Sequence, residues 1–296
     1  MRQLTIGDMR IDRLVEIPAL PLDKTFLFAN VTDEVIAANR GWLDHRYIEP
    51  ETGRFILSHH SYVVRTQRWT AIVDTCCGNH KERPGAPFWH RLNQPYIENM
   101  AALGVRPEDV DFVMCTHLHV DHVGWNTRLV DGRWVPTFPK ARYLMGRTEY
   151  DHWDRRHREK PGRAVNRGSF EDSVLPVVAA GQAEFVDSDH CVFDDRAATF
   201  RFVPAPGHTI GNMMIDLRGG HDHAVVSGDV IHHPIQCAAP WLSNAADFDL
   251  DMARDTRVKL LEQFADTPSI LLPAHFPAPT AGRVISNGST FRFAFL

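Results

Sequence analysis

Apolar residues in this chain gather in short runs rich in valine, isoleucine and phenylalanine, broken by glycine, proline and polar turns. Runs of that length and composition predict strands, and longer stretches at helical spacing predict helices. In the first half the pattern predicts strands over residues 11–17, 55–65, 69–74 and 110–116, and a helix over 96–103. In the second half it predicts strands over 142–145, 184–186, 199–203, 212–217 and 224–227, a helix over 252–264 and a strand entering His275. The tail, 283–293, reads as a hairpin turned at Asn287-Gly288. Strands followed by helices in each half fit an α/β (α+β) class, two mixed β-sheets packed together with helices outside: an αββα sandwich. No repeat or low-complexity linker interrupts the pattern, so residues 1–296 are expected to form one domain. The charged stretch 148–174, with Pro161, Gly162 and Gly168, reads as a helical insertion, either flanking a cleft or forming plain surface.

Composition narrows the function classes. A hydrophobic content of 44% supports a substantial core, and a formal charge of −5 argues against a general nucleic-acid surface. The basic run 155–160 reads as a solvated helix face. No stretch has the length of a signal-peptide core or a membrane span, so neither a membrane nor a nucleic acid is an expected partner and a cytoplasmic location is expected. Five cysteines (Cys76, Cys77, Cys115, Cys191, Cys237) show no metal-ligand spacing, which fits a reduced chain. Cys76 and Cys77 are either buried small residues or reactive thiols.

The candidate chemistry sits where strands end. Strand 110–116 runs into His117-Leu118-His119-Val120-Asp121-His122, four metal-capable side chains in six residues. His117 and His119 alternate, so an extended segment points them the same way; Asp121 and His122 follow where the chain turns. That spacing suggests two ions, and Gly124 suits the close packing such a turn needs. Three later strands end in single candidates: His208 after Pro206-Gly207, Asp229 after Gly228, and His275 after Pro273-Ala274. Of the 17 histidines, His45, His90, His152, His157, His221 and His223 read as surface or supporting residues.

Asp74 in Ile72-Val73-Asp74-Thr75, the stretch from Thr116 to His122, Gly207-His208-Thr209, Gly228-Asp229 and Ala274-His275 occur in an order that resembles the metallo-β-lactamase fold superfamily. The resemblance implies that His117, His119 and His208 hold one ion. It implies that Asp121, His122 and His275 hold the other, that Asp229 bridges them, and that Asp74 braces the ligand loop. The stretches 119–124, 228–232 and 274–277 look most like the acyl-homoserine-lactonase and methyl-parathion-hydrolase branch. Many of those lactonases carry a tyrosine three residues after the bridging aspartate; here His232 stands there. The departure moves the likeness towards the parathion-hydrolase side and makes His232 a candidate for orienting substrate or shuttling a proton, with a structural hydrogen bond as the alternative. His233 reads as non-catalytic. A homodimer is the expected assembly if the chain follows this branch.

Five imidazoles and two carboxylates without a thiolate suit two divalent ions, zinc best, with manganese, iron or cobalt as alternatives. Two ions about 3.5–4 Å apart share a water and lower its pKa towards ~7, giving a hydroxide nucleophile. The leading expectation is a hydrolase that opens a lactone or cleaves a small carboxylic ester, with Asp121 and His232 as catalytic residues alongside the ligands. The same machinery acting on phosphotriesters, β-lactams or thioesters is the alternative, and an iron-dependent oxidative or non-catalytic binding member stands third. A substrate carboxylate would call for a cationic clamp, for which Arg147, Arg163 and Arg167 are candidates. Phe88, Trp89, Trp125, Trp241 and Phe276 are candidates for an apolar wall, each with core packing as its alternative.

Overall fold

The computed structural model describes residues 3–194 and 198–296. It contains two compact units, one of residues 3–17 and 59–190, the other drawn from 18–58 and 191–296.

The first sheet has seven strands. In chain order, β1 (Leu4–Ile6), β2 (Met9–Leu22), β3 (Phe55–Arg65), β4 (Thr70–Val73) and β5 (Phe112–Met114) lie side by side. A separate hairpin of β6 (Thr127–Val130) and β7 (Arg133–Pro136) intervenes before β8 (Arg142–Gly146) and β9 (Ala183–Val186) complete the sheet. Strands β4, β5, β8 and β9 pair in parallel. Parallel strands are covered on both faces and so read as unbroken apolar runs, and Ala71, Ile72, Val73, Val113 and Met114 are indeed all buried. Ile72, Val113, Tyr143 and Met145 join Phe170 and Val174 in the core of this unit.

The second sheet is also seven-stranded and runs in chain order: β10 (Cys191–Asp194), β11 (Thr199–Pro204), β12 (Met213–Gly219), β13 (Asp222–Val226), β14 (Ile270–Leu272), β15 (Gly282–Asn287) and β16 (Thr290–Phe295). Its pairings are antiparallel except for β13 with β14. The helix Leu250–Phe264 connects those two parallel strands. Asp249 caps it by accepting from the Met252 amide at 2.9 Å, and Ala253, Arg257, Leu260, Leu261 and Phe264 form its buried stripe. Leu261 and Phe264 pack with Val225, Leu271 and Phe293 in the core of this unit.

Several expected elements have different bounds. β5 stops at Met114 because Thr116 leaves the sheet to hydrogen-bond Asp74. β2 extends past 11–17 on both sides. The stretch 148–174 is helical only in part: the helix Arg147–Glu159 is followed by tight turns and a π-helical turn at Phe170–Val174. The basic run at its end is largely exposed, as a solvated face requires. The tail forms the expected hairpin, with Gly288 at φ 63°.

Candidate metal centre

Every candidate ligand beyond the first histidine cluster follows the C-terminal end of a strand: His208 after β11, Asp229 after β13 and His275 after β14. The cluster itself follows β5, and Asp74 follows the neighbouring β4.

In the unit of residues 3–17 and 59–190, Asp74 organises the cluster. Its backbone takes φ 53°, which turns the carboxylate towards the end of β5. There it accepts from the Thr116 amide and hydroxyl, both at 2.8 Å, and from His122 Nδ1 at 2.9 Å. One carboxylate thus ties the first and last residues of the motif. His117 Nδ1 donates to Thr116 Oγ1 at 3.1 Å. The Thr75 amide donates to the His122 carbonyl and the Gly124 amide to the Cys76 carbonyl, each at 2.7 Å. Gly124 presses so closely on the next turn that an added Cβ would sit 1.9 Å from Cys77 backbone atoms. The ring centroids of His117 lie 4.0 Å from those of His122 and 4.8 Å from those of His119.

Three residues that sequence reading did not single out support this half. Glu149, fully buried on the helix Arg147–Glu159, accepts from the Leu118 amide at 3.3 Å and from Trp153 Nε1 at 2.8 Å. Trp153 in turn meets the His119 ring edge-on. His59 lies with Nδ1 3.6 Å from Asp121 Oδ2, and its Nε2 accepts from Trp89 Nε1 at 3.2 Å. Glu149 is the one buried residue of a strongly polar helix, so it carries no distinguishing sequence signal. His59, in a plain β run, carries none either.

In the other unit, Gly207 (φ 133°) brings its chain against the start of the helix Leu250–Phe264, where a Cβ would meet the Ala253 amide nitrogen at 2.4 Å. His208 Nδ1 donates to Asp247 Oδ1 at 2.8 Å, and His275 Nδ1 to the Ser58 carbonyl at 3.1 Å. The Asp247 side chain is completely buried, and Arg257 lies 3.9 Å from it while donating to the Val230, Pro240 and Leu242 carbonyls. Burial pulls the Arg257 guanidinium down to about 10. Three Nε2 atoms converge on the buried Asp229 carboxylate: His275 at 3.0 Å, His232 at 3.1 Å and His208 at 3.3 Å. His208, Asp229 and His232 each offer a ligand atom, all within 4.8 Å of one another. His232 is buried, its Nδ1 has no hydrogen-bond partner among the described residues, and burial holds its pKa below the ordinary histidine value. Its neighbour His233 has both nitrogens engaged, by the Tyr47 carbonyl and the Ile235 amide, as a structural residue should.

The donor chemistry fits divalent ions. In His117, His122, His208 and His275, Nδ1 faces an acceptor, which fixes the tautomer with the lone pair on Nε2. Lone pairs of His208 and His275 then face a carboxylate at hydrogen-bond distance, an arrangement that needs a proton or a cation between them. The thiols do not compete. Burial raises the Cys76, Cys77 and Cys115 pKa values, so these are inert core residues. Of the candidate wall aromatics, Trp125 and Phe276 are in the core; Phe88 and Trp89 are half-buried and Trp241 is exposed.

Comparison with known proteins gives a consistent result. Residues 55–275, more than half the chain, match the family model described as the metallo-beta-lactamase superfamily. The N-acyl homoserine lactonase AttM of Agrobacterium fabrum (strain C58) is 29% identical over 41% of this chain and 43% of its own length. The lactonase AiiB of the same organism is 27% identical over 46% and 47%. The chain therefore spans under half the length of the curated relatives it matches. Among solved structures, the hydrolase AbOPH of the beta-lactamase superfamily superposes with a TM-score of 0.80 at 22% identity, covering 99% of this chain and 96% of that one. AidC, described as a dizinc quorum-quenching lactonase in complex with a product, gives 0.75 at 19% identity over the same shares. These two likenesses show the fold.

Proposed function

The chain belongs to the metallo-beta-lactamase superfamily, and on that premise we propose that it is a dinuclear metal-dependent hydrolase of lactones or small carboxylic esters. The observation that carries the reading is the common bracing of four histidines through Nδ1, which prepares four Nε2 atoms for ligation. The proposed ligand sets are His117, His119 and His208 for one ion, and Asp121, His122 and His275 for the other, with Asp229 between them. The donor set favours zinc. Lactone chemistry is supported by the names of the curated relatives, all N-acyl homoserine lactonases.

Bound there, two divalent ions supply Lewis acidity for the substrate oxygen and lower the pKa of water towards ~7. The chain's own residues then orient and carry protons. Asp74 and Asp247 keep the proton on Nδ1 of His122 and His208. His59 steadies the Asp121 carboxylate. Burial lowers the pKa of His232, and its Nε2, 3.1 Å from Asp229 Oδ2, can orient that carboxylate through a hydrogen bond.

Two variants test the assignment together. Asp121→Ala is expected to abolish turnover and lower bound metal from two ions towards one. His232→Phe is expected to lower turnover while leaving metal content unchanged. Near-normal hydrolysis by Asp121→Ala would refute the two-ion reading, and full activity in His232→Phe would return His232 to the scaffold.

A further inference from the structure

A cavity of about 500 Å³ opens in the unit of residues 3–17 and 59–190, apart from the histidine cluster. Pro84, Gly85, Ala86 and Ala164 supply apolar lining, and Arg83 and Arg167 supply guanidinium groups. That volume suits a small organic ligand or a substrate arm. Both walls are tied to the candidate metal loop. On one side Asn166 Nδ2 donates to the Leu118 carbonyl. On the other, Trp89, three residues beyond Ala86 and with its ring centre 5.9 Å from the Arg167 guanidinium, donates to His59, which contacts Asp121.

The charges in this cavity are unevenly used. Arg83 is buried and makes a two-pronged pair with Asp172 at 2.7 and 2.9 Å, and Lys81 lies 3.4 Å from the same carboxylate. Glu82 is held by Arg91. Glu171 Oε1 accepts from His157 Nδ1 at 2.9 Å and from the Val165 amide at 3.0 Å. Among the described residues, Arg167 makes one hydrogen bond, a 3.3 Å contact to the Gly85 carbonyl, and no ion pair. Its guanidinium is exposed at the rim. Left-handed backbone at Asn166 (φ 49°) and Arg167 (φ 56°) aims it there, a conformation non-glycine residues hold only under local constraint. Glu171 Oε2 is buried without a partner among the described residues and repels an anion deep in the cavity, so an anion belongs at the Arg167 end.

We propose that this cavity receives a carboxylate-bearing arm of the substrate, with Arg167 clamping the carboxylate at the rim and Pro84, Ala86 and Ala164 covering a short apolar spacer. A planar, always-charged fork with free donors matches a carboxylate in two-point geometry, and the Trp89 face beneath favours a guanidinium there. The proposal rests on the hydrolase reading only for the ester to which the arm is attached. The substrate class it names is the half-ester of a dicarboxylic acid or the lactone of a hydroxy-dicarboxylic acid.

The test compares the phenyl half-ester of glutarate with neutral phenyl pentanoate on the metal-loaded enzyme, alongside calorimetric binding of glutarate to metal-depleted protein. The wild type is expected to favour the half-ester in kcat/KM. Arg167→Gln is expected to cut the ratio of the two kcat/KM values about tenfold or more, equivalent to ~1.4 kcal/mol or above. Arg167→Lys should lie between, and Arg167→Glu should reverse the preference. Glutarate binding should weaken in the same order. A ratio and a glutarate affinity that ignore Arg167 would overturn the carboxylate site while leaving ester hydrolysis standing. Arg167-dependent glutarate binding without hydrolysis of either ester would uphold the site and remove the hydrolase reading.

Discussion

Asp74 and Asp247 perform the same task in separate units: each accepts the Nδ1 proton of a histidine and so fixes which nitrogen can ligate. Only Asp74 is visible in the sequence, because it sits in the family motif. Asp247 lies in a polar turn and is recognisable only once Phe248 is seen bonded to the His208 carbonyl. Replacing Asp247 with Asn weakens the acceptor without removing atoms, and metal affinity is expected to fall about 10- to 100-fold in chelator competition. Unchanged affinity would remove Asp247 from the metal site. A second single-residue prediction concerns Lys81. Burial pulls its pKa from 10.5 down to about 7, against the opposing pull of Asp172. Between those values the unfolded chain binds the proton and the folded chain does not, so stability contributed here rises with pH from about 7 to about 10. Urea midpoints measured across that range should rise in wild type relative to Lys81→Met; parallel profiles would show that Lys81 stays charged in the fold.

Elements were legible in proportion to how local their causes are. The Asn287-Gly288 hairpin followed from turn chemistry alone. The β6–β7 hairpin, turned at Asp131-Gly132 with φ 48° and 75°, carries the same kind of turn signal, with Leu129 paired across from Trp134, and lies outside the expected strands because each arm is only four residues long. β5 proved shorter than its apolar run because a tertiary bond, Thr116 to Asp74, overrides β-propensity at its end. The histidine loop depends on a long-range fit of equal weight: Gly124 lies against the backbone of Cys77 and Gly78. Both partners are main chain and cannot turn aside, so Gly124→Ala is expected to destabilise by about 3–5 kcal/mol. Thermal and urea unfolding measure it; a loss below about 1 kcal/mol would mean that the two turns can part without cost.

At the scale of the whole chain, the sequence carried the αββα class and the order of the ligand motifs, and the likeness to solved metallo-beta-lactamase structures bears out that class. It did not carry the substrate. Arg147, Arg163 and Arg167 were equal candidates for a clamp on paper. Arg147 is bonded to the Phe185 carbonyl, and of Arg163 and Arg167 it is Arg167 that lines the cavity beside Pro84 and Ala86. Among the described residues no helix is long and apolar enough to cross a membrane. The ligand motifs lie on separate strands, so metal binding is expected to stabilise the folded chain by mass action as well as activate it. The most direct test of the central claim is the metal content of the purified protein, measured together with hydrolysis of a γ-lactone and an aryl ester before and after chelation. The account predicts about two zinc or similar divalent ions per chain, with turnover lost on chelation and restored by the ion. Full turnover by metal-free protein, or a loaded protein that cleaves neither substrate, would contradict it.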